Sequence, residues 1–189
     1  MVEKFEFAEL SLKGAYLIHS FYNSDDRGAF IKDYNIDIFR ENGINYNLKE
    51  TFYTVSGKGV IRAIHYQRVK QQAKLVRCIK GCIYDVIVDL RVDSPSFGKW
   101  TGVELTGDNH LELLVPEQFG HGYLVIEDSI VSYKCAEVFY GEYDTGIKWD
   151  DPTIGIEWNL DRVGGIENIV ISEKDKKLPK FREVFGNDY

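Results

Sequence analysis

Short runs rich in β-branched and aromatic residues recur along almost the whole chain, and nothing else in the sequence constrains its fold as strongly. They read 14–21 (GAYLIHSF), 51–56 (TFYTVS), 59–67 (GVIRAIHYQ), 73–80 (AKLVRCIK), 82–90 (CIYDVIVDL), 101–105 (TGVEL), 111–116 (LELLVP), 122–126 (GYLVI) and 129–140 (SIVSYKCAEVFY). Turn-forming clusters punctuate them: SGKG, KGC, DSPSFG and TGDNH. Strands this short, at this spacing, with almost no helical periodicity, predict an all-β sandwich or barrel. One short helix is expected over 36–43 (IDIFRENG), stopped by Gly43. The polar end (SEKDKKLPKFREVF) reads as a helical turn docking on the barrel. With no linker or internal repeat, residues 1–189 are expected to form a single domain.

Composition narrows what such a domain can do. A net charge of −7 argues against general nucleic-acid binding, which depends on cationic side chains neutralising phosphates. No apolar stretch approaches the roughly 20 residues that span a bilayer. The acidic start, MVEKFEFAEL, lacks the basic and apolar segments of a signal peptide, so a cytoplasmic setting is expected. The odd cysteine count (Cys78, Cys82, Cys135) fits reduced thiols rather than a disulfide framework.

Several polar side chains interrupt the strand-like runs. In 82–90, alternation puts Asp85, Ile87 and Asp89 on one face and Tyr84, Val86 and Val88 on the other. A barrel would bury that aspartate, which then needs a partner; an exposed strand face or a structural ion pair is the plain alternative. Of four histidines, His19 and His110 lie beside turns and are expected on the surface. His65 sits within a strand and His121 opens another, and taken alone each reads as a structural histidine. The lack of closely spaced histidines or of a second cysteine pair argues against a metal site. Cations gather from 62 to 80: Arg62, Arg68, Lys70, Lys74, Arg77 and Lys80. They serve either as a solvated strand edge or as a receptor for an anion such as a diphosphate.

The ordered blocks DDRGAF (25–30), GKGVIRAIHYQ (57–67), QAKLVRCIKGCIYDVIVDLRVDSPSFGKW (72–100), VPEQFGHGYLV (115–125), YKC (133–135), GIKWDDPTIGIEW (146–158) and SEKDKKLP (172–179) resemble the dTDP-4-dehydrorhamnose 3,5-epimerase family, over roughly 25–180. The resemblance implies a cupin-type jelly-roll barrel with short flanking helices. It also implies a homodimer without metal or organic cofactor, acting on a nucleotide-diphosphate 4-keto-6-deoxy sugar, as in bacterial O-antigen or capsule synthesis. Carried over by position, it makes His65 the general base, Asp175 its orienting carboxylate and Tyr133 the acid on the opposite face. Lys74 and Arg62 would steady the enolate and sugar, while Asp85 would partner His121. Arg27 and Phe30 would hold the nucleotide. Gln67 belongs to the block that carries His65.

A ketone at C4 acidifies the hydrogens on C3 and C5, and a base with a pKa near neutrality suits their removal. Fixed cations near the C4 oxygen would stabilise the enolate. One geometric difficulty follows. Arg62 and His65 are three apart, so a regular strand would send them to opposite faces, and a twist, bulge or strand end is required between them.

The chain departs from the family pattern where substrate contacts are expected. RGLH reads RAIH, and Glu50 and Phe52 stand where the rhamnose enzymes usually carry Gln and Asn. Lys32 replaces a glutamate, Phe139 (followed by Tyr140) replaces a tyrosine, and Gln118 and Gly120 replace small residues. The expectation is retained enolate chemistry on an altered substrate: a CDP or GDP sugar rather than dTDP, with inversion at C3 and possibly C3 alone. The alternatives are a nucleotide-sugar 3,4-ketoisomerase and a non-catalytic sugar-binding jelly roll.

Overall fold

The structure is a computed structural model describing residues 4–186, so Met1–Glu3, at the head of the acidic N-terminus, lie outside the described residues. Eleven strands, three short α-helices and two 3-10 turns (Leu160–Val163 and Ile166–Asn168) make up the regular structure among them. In chain order the strands are β1 (Glu6–Glu9), β2 (Tyr16–His19), β3 (Phe21–Asp25), β4 (Gly28–Lys32), β5 (Glu50–Ser56), β6 (Ile61–Gln67), β7 (Lys74–Asp89), β8 (Trp100–Thr106), β9 (Leu111–Val115), β10 (Phe119–Cys135) and β11 (Asp144–Gly146). The helices are α1 (Ile36–Glu41), α2 (Glu173–Lys176) and α3 (Phe181–Phe185). Among the described residues no helix is long and apolar enough to cross a membrane.

Nine strands join one antiparallel sheet along the path β1-β2-β9-β7-β10-β6-β11, with β5 on β10 and β8 on β7; β3 and β4 form a separate hairpin. The expected runs 73–80 and 82–90 are one continuous strand, β7. Gly81, at φ +83°, does not turn the chain back but marks a break in register within it. That break switches which parity faces inward: Val76 and Cys78 on one side of it, Ile83 and Ile87 on the other, all in the same core. Likewise 122–126 and 129–135 are one strand, β10, and the chain leaves it at Cys135, so residues 136–140 are not strand. The run 14–21 breaks at Ser20 into β2 and β3, and the β3–β4 hairpin was not among the expected strands.

Three apolar layers result. The inward faces of β7, β8, β9 and β10 enclose the central core, with Val76, Ile83, Ile87, Leu105, Leu113, Val125 and Val131 fully out of water. The opposite faces of β6 and β7 pack Ile64, Val86 and Val88 against Trp158 and Phe181 of the C-terminal segment. That segment therefore docks through α3 as well as through one turn. Under α1, Phe39 joins Phe5, Ile18 and Leu114. Asn35 caps this helix by accepting from the amides of Asp37 and Ile38. The interior face of Asp85 and Ile87 follows the alternation of the sequence, and Asp85 is fully buried.

Candidate active site

The difficulty between Arg62 and His65 is resolved by a β-bulge. On β10, Tyr123 pairs with Arg62 and His121 with His65, so two steps on one strand match three on the other. Ala63 and Ile64 both turn outward into the second apolar layer, leaving Arg62 and His65 on the inner side. Burying Ile64 there stabilises the bulge by roughly 1.5–3 kcal/mol relative to exposing it. Glycines on both neighbouring strands admit the crowded backbone. A Cβ on Gly122 would lie 2.6 Å from the Ala63 Cβ, and one on Gly146 would lie 2.1 Å from the Ile64 carbonyl oxygen. The Ala63 amide, in the bulge, helps to draw the Asp175 carboxyl below its ordinary value.

A cavity of about 600 Å³ opens beside it. Its polar lining comes from β6 (Arg62, His65), β7 (Lys74), β10 (His121, Tyr123, Tyr133), β11 (Asp144) and the α2 region (Ser172, Lys174, Asp175). Asp175 Oδ1 lies 3.1 Å from His65 Nε2, and Asp144 Oδ2 lies 3.6 Å from Nδ1. Ser172 caps α2 through the Asp175 amide, fixing the carboxylate's helix. Lys174 clamps Asp144 at 2.5 Å.

Burial alone would lower the proton affinity of His65, but the Asp144 and Asp175 carboxylates, which attract the protonated ring, outweigh it and leave the pKa raised. Both carboxylates are drawn below their ordinary value, against desolvation, by His65, with Lys174 adding to the effect on Asp144 and Ser172 to that on Asp175. A base must be neutral to act, so the acidic limb of activity is expected above the ordinary histidine value of 6.5. Asp144→Asn removes one stabilising carboxylate, so the acidic limb of kcat/KM is expected to move to lower pH. An unmoved limb in the pH–rate profile would show that Asp144 does not reach the imidazole.

His121, the direct cross-strand neighbour of His65, donates or accepts at Nε2 with Asp85 Oδ1, 2.6 Å away. The 55 residues between the two histidines hide this adjacency. Desolvation lowers the Lys74 pKa, with Cys135, Asp144 and Asp85 opposing it. Tyr133 is pushed well above the usual phenol value, chiefly by burial. The inner residues of β5 each hold one cavity side chain. Phe52 stacks on Tyr133 with centroids 4.6 Å apart, Thr54 Oγ1 lies 2.8 Å from the Tyr123 hydroxyl, and Ser56 Oγ accepts from two Arg62 nitrogens at 3.1 Å each.

The structure thus brings together His65, Tyr133, Asp175, Lys74, Arg62, His121 and Phe139, with Asp85 directly behind His121. Other candidates lie elsewhere. Gln67 is buried, and its amide engages the backbone of Lys70, Val138 and Tyr140. It fixes the loop bearing Phe139, as does Glu50, which accepts from the Phe139 amide. Tyr140 packs on Tyr143, outside the lining. Arg27, paired with Asp25 at 2.6 Å, and Phe30 lie exposed on the β3–β4 hairpin. Lys32 ends that hairpin opposite Phe21. His19 is exposed as expected, whereas His110 is half-buried and stacks on Tyr22.

Asp144, Lys174, Tyr123, Thr54 and Ser56 are members the sequence reading missed. Alternation along 51–56 carries a signal for Thr54 and Ser56, because they share a face with Phe52. Asp144 has none beyond the glycine two residues after it.

The family model for dTDP-4-dehydrorhamnose 3,5-epimerase matches residues 9–183. The chain belongs to that family. A Methanothermobacter thermautotrophicus dTDP-4-dehydrorhamnose 3,5-epimerase is 46% identical over 181 residues, 95% of this chain and 96% of that protein. A solved Mycobacterium tuberculosis epimerase superimposes with a TM-score of 0.90 at 33% identity, over 95% of this chain and 90% of that one. A Legionella pneumophila dTDP-6-deoxy-D-glucose-3,5-epimerase, solved in complex with dTDP-4-keto-L-rhamnose, superimposes with a TM-score of 0.88 at 31% identity, over 94% and 93%. Family members of this kind share a cupin-like jelly roll, and the sheet described above is of that fold. The chain is accordingly an isomerase of the epimerase type, in deoxysugar nucleotide biosynthesis.

Proposed function

We propose that this chain, acting as one jelly-roll unit over 1–189, epimerises a nucleotide-activated 4-keto-6-deoxyhexose by proton transfer through an enolate. The observation that carries the proposal is the sharing of one cavity by His65, Tyr133, Lys74 and Arg62, with two carboxylates on the imidazole. Its volume falls within the roughly 300–1,000 Å³ of small-ligand pockets.

Neutral His65 takes the proton from the carbon beside the ketone, and Asp175 stabilises the imidazolium that forms. The electron pair moves into the ring C=C and charge collects on the C4 oxygen, which Lys74 and Arg62 face as fixed cations. Tyr133 delivers a proton to the opposite face, and His121, oriented by Asp85, positions the sugar. These steps call for neither metal nor redox partner. Because Arg27 and Phe30 stand away from the cavity of their own chain, their nucleotide role belongs to a homodimer in which the hairpin serves a second copy. The setting is cytoplasmic synthesis of O-antigen or capsule precursors.

The relatives' names supply dTDP as the reference nucleotide, and the replacements at 32, 50 and 52 make CDP and GDP sugars its competitors. Incubation with the dTDP-, CDP- and GDP-linked 4-keto-6-deoxyglucoses in deuterated water tests both nucleotide and position. Solvent deuterium is expected at C3 of an inverted product, and label at C5 marks a second inversion. A 3-keto product would instead identify a ketoisomerase. Unlabelled sugar from all three would refute the hexose epimerase reading.

A further inference from the structure

The β3–β4 hairpin stands apart from the main sheet. Among the described residues its two strands pair with each other and with no third strand, and most of their side chains face solvent. No strand pairing therefore sets the direction in which the hairpin points. What fixes it lies at the foot, where Phe21 pairs with Lys32 and the chain enters through Ser20 and leaves through Asp33.

Both sides of the foot are tied to one patch of the main sheet. Ser20 Oγ donates to Glu112 Oε1 at 2.5 Å. Asp33 Oδ2 accepts from Lys134 Nζ at 2.6 Å and lies 3.7 Å from Arg77 Nη1. Arg77 and Glu112 are directly opposed on β7 and β9, and Lys134 lies on β10 opposite Leu75 of β7. Val76, Leu113 and Tyr133 face the central core, so by alternation Arg77, Glu112 and Lys134 face the other way, toward the foot of the hairpin. Ser20, Arg77 and Glu112 are buried there. A buried charge that loses its partner is costly, so Asp33 cannot leave this patch without unpairing the cations it faces. Tyr22 adds a ring stack on His110, with centroids 4.2 Å apart. Arg27 stands at the far end of the arm, in the turn, and Phe30 on its second strand.

We propose that Asp33 and Ser20 are positioning residues that aim the hairpin, and with it Arg27 and Phe30, at the nucleotide of the sugar substrate. This rests on the reading above in which the hairpin serves the nucleotide site of a second copy. Asp33 and Ser20 act through the arm and not on the sugar. Once the foot is released, the guanidinium at the tip loses its fixed place, and nucleotide affinity falls. Proton transfer is spared, because Lys74 and Tyr133 face the cavity on the opposite side of the same strands.

The test is Asp33→Asn in the full chain, titrated calorimetrically with dTDP, CDP and GDP and assayed with the 4-keto-6-deoxyglucose of the preferred nucleotide. Asparagine keeps the shape of the side chain and removes its charge. Kd for that nucleotide and KM are expected to rise about tenfold, the loss of one charge-assisted hydrogen bond, with kcat little changed. Ser20→Ala should move both the same way by less. In an Arg27→Ala, Phe30→Ala background, Asp33→Asn should weaken binding no further, because the groups it aims are gone; a general loosening of the fold would multiply through instead. Unchanged Kd and KM in Asp33→Asn, with Arg27→Ala weakening binding, overturns the proposal alone. So does a fall confined to kcat, or an undiminished effect of Asp33→Asn in the double-alanine background. Unchanged nucleotide binding by Arg27→Ala, Phe30→Ala overturns the reading of the hairpin on which the proposal rests.

Discussion

Replacing His65 with asparagine is expected to lower kcat about 10²–10⁴-fold, the range a positioned general base contributes. Asparagine keeps a polar group of similar reach but has no basic nitrogen. The cationic side of the cavity stays intact, because Arg62 is held by Ser56 on β5 and Lys74 belongs to β7. Affinity for the nucleotide sugar, measured calorimetrically, should therefore change only a few-fold while turnover collapses. Exchange of the sugar hydrogens with deuterated solvent should collapse in parallel, since an enolate that never forms cannot collect label. Exchange above about a tenth of the wild-type rate would mean that another group removes the proton.

The second large effect belongs to a residue with no side chain. Gly122→Ala would place a methyl group 2.6 Å from both the Ala63 Cβ and the Arg62 carbonyl oxygen, so backbone must move. Overpacking of this kind costs typically 1–3 kcal/mol, and here the strain falls on the bulge that turns Arg62 and His65 to one side. A displacement near 1 Å at a reacting group can cost about 10²-fold in rate. The variant should show a lowered Tm and a kcat/KM reduced about 100-fold. Gly57→Ala is the control: its Cβ would meet only Asp128 Oδ1, at an ordinary 3.7 Å, and both quantities should stay near wild type. A Gly122→Ala enzyme with wild-type rate and stability would show that the bulge has no exact geometry to protect.

Much of this was legible in the chain because β-structure writes itself at period two. Asp85 and Ile87 face inward and Val86 and Val88 outward as alternation requires, and the strands ending near Gln67, Thr106 and Val115 fall where turn residues punctuate them. Alternation fails across register breaks, which depend on contacts between strands far apart in sequence. The break at Gly81 therefore has the sequence signature of a turn, and β7 and β10 each have that of two strands. The spacing of Arg62 and His65 demands a twist, bulge or strand end between them, and only the pairing with the strand of Gly122 shows that it is a bulge at Ala63–Ile64.

The site divides along the same line. His65, Tyr133, Lys74 and Asp175 could be named from ordered blocks, yet nothing local says that residue 175 returns to residue 65, or that residue 121 lies beside it. Arg27 and Phe30 belong to one of those blocks but stand on a hairpin outside the cavity, because sequence order carries no information about where a hairpin stands relative to the site. Asp144, Tyr123 and Thr54 were missed because their chemistry consists in what they touch.

The most direct test is a crystal structure of the His65→Asn, Tyr133→Phe variant, too impaired to turn over, soaked with dTDP-4-keto-6-deoxyglucose. The ring should lie with C3 or C5 between positions 65 and 133, about 3–3.5 Å from the side chains on opposite faces, and with the C4 oxygen toward Lys74 and Arg62. A sugar bound with both positions on one face of the ring, or outside this cavity, would contradict proton transfer between His65 and Tyr133.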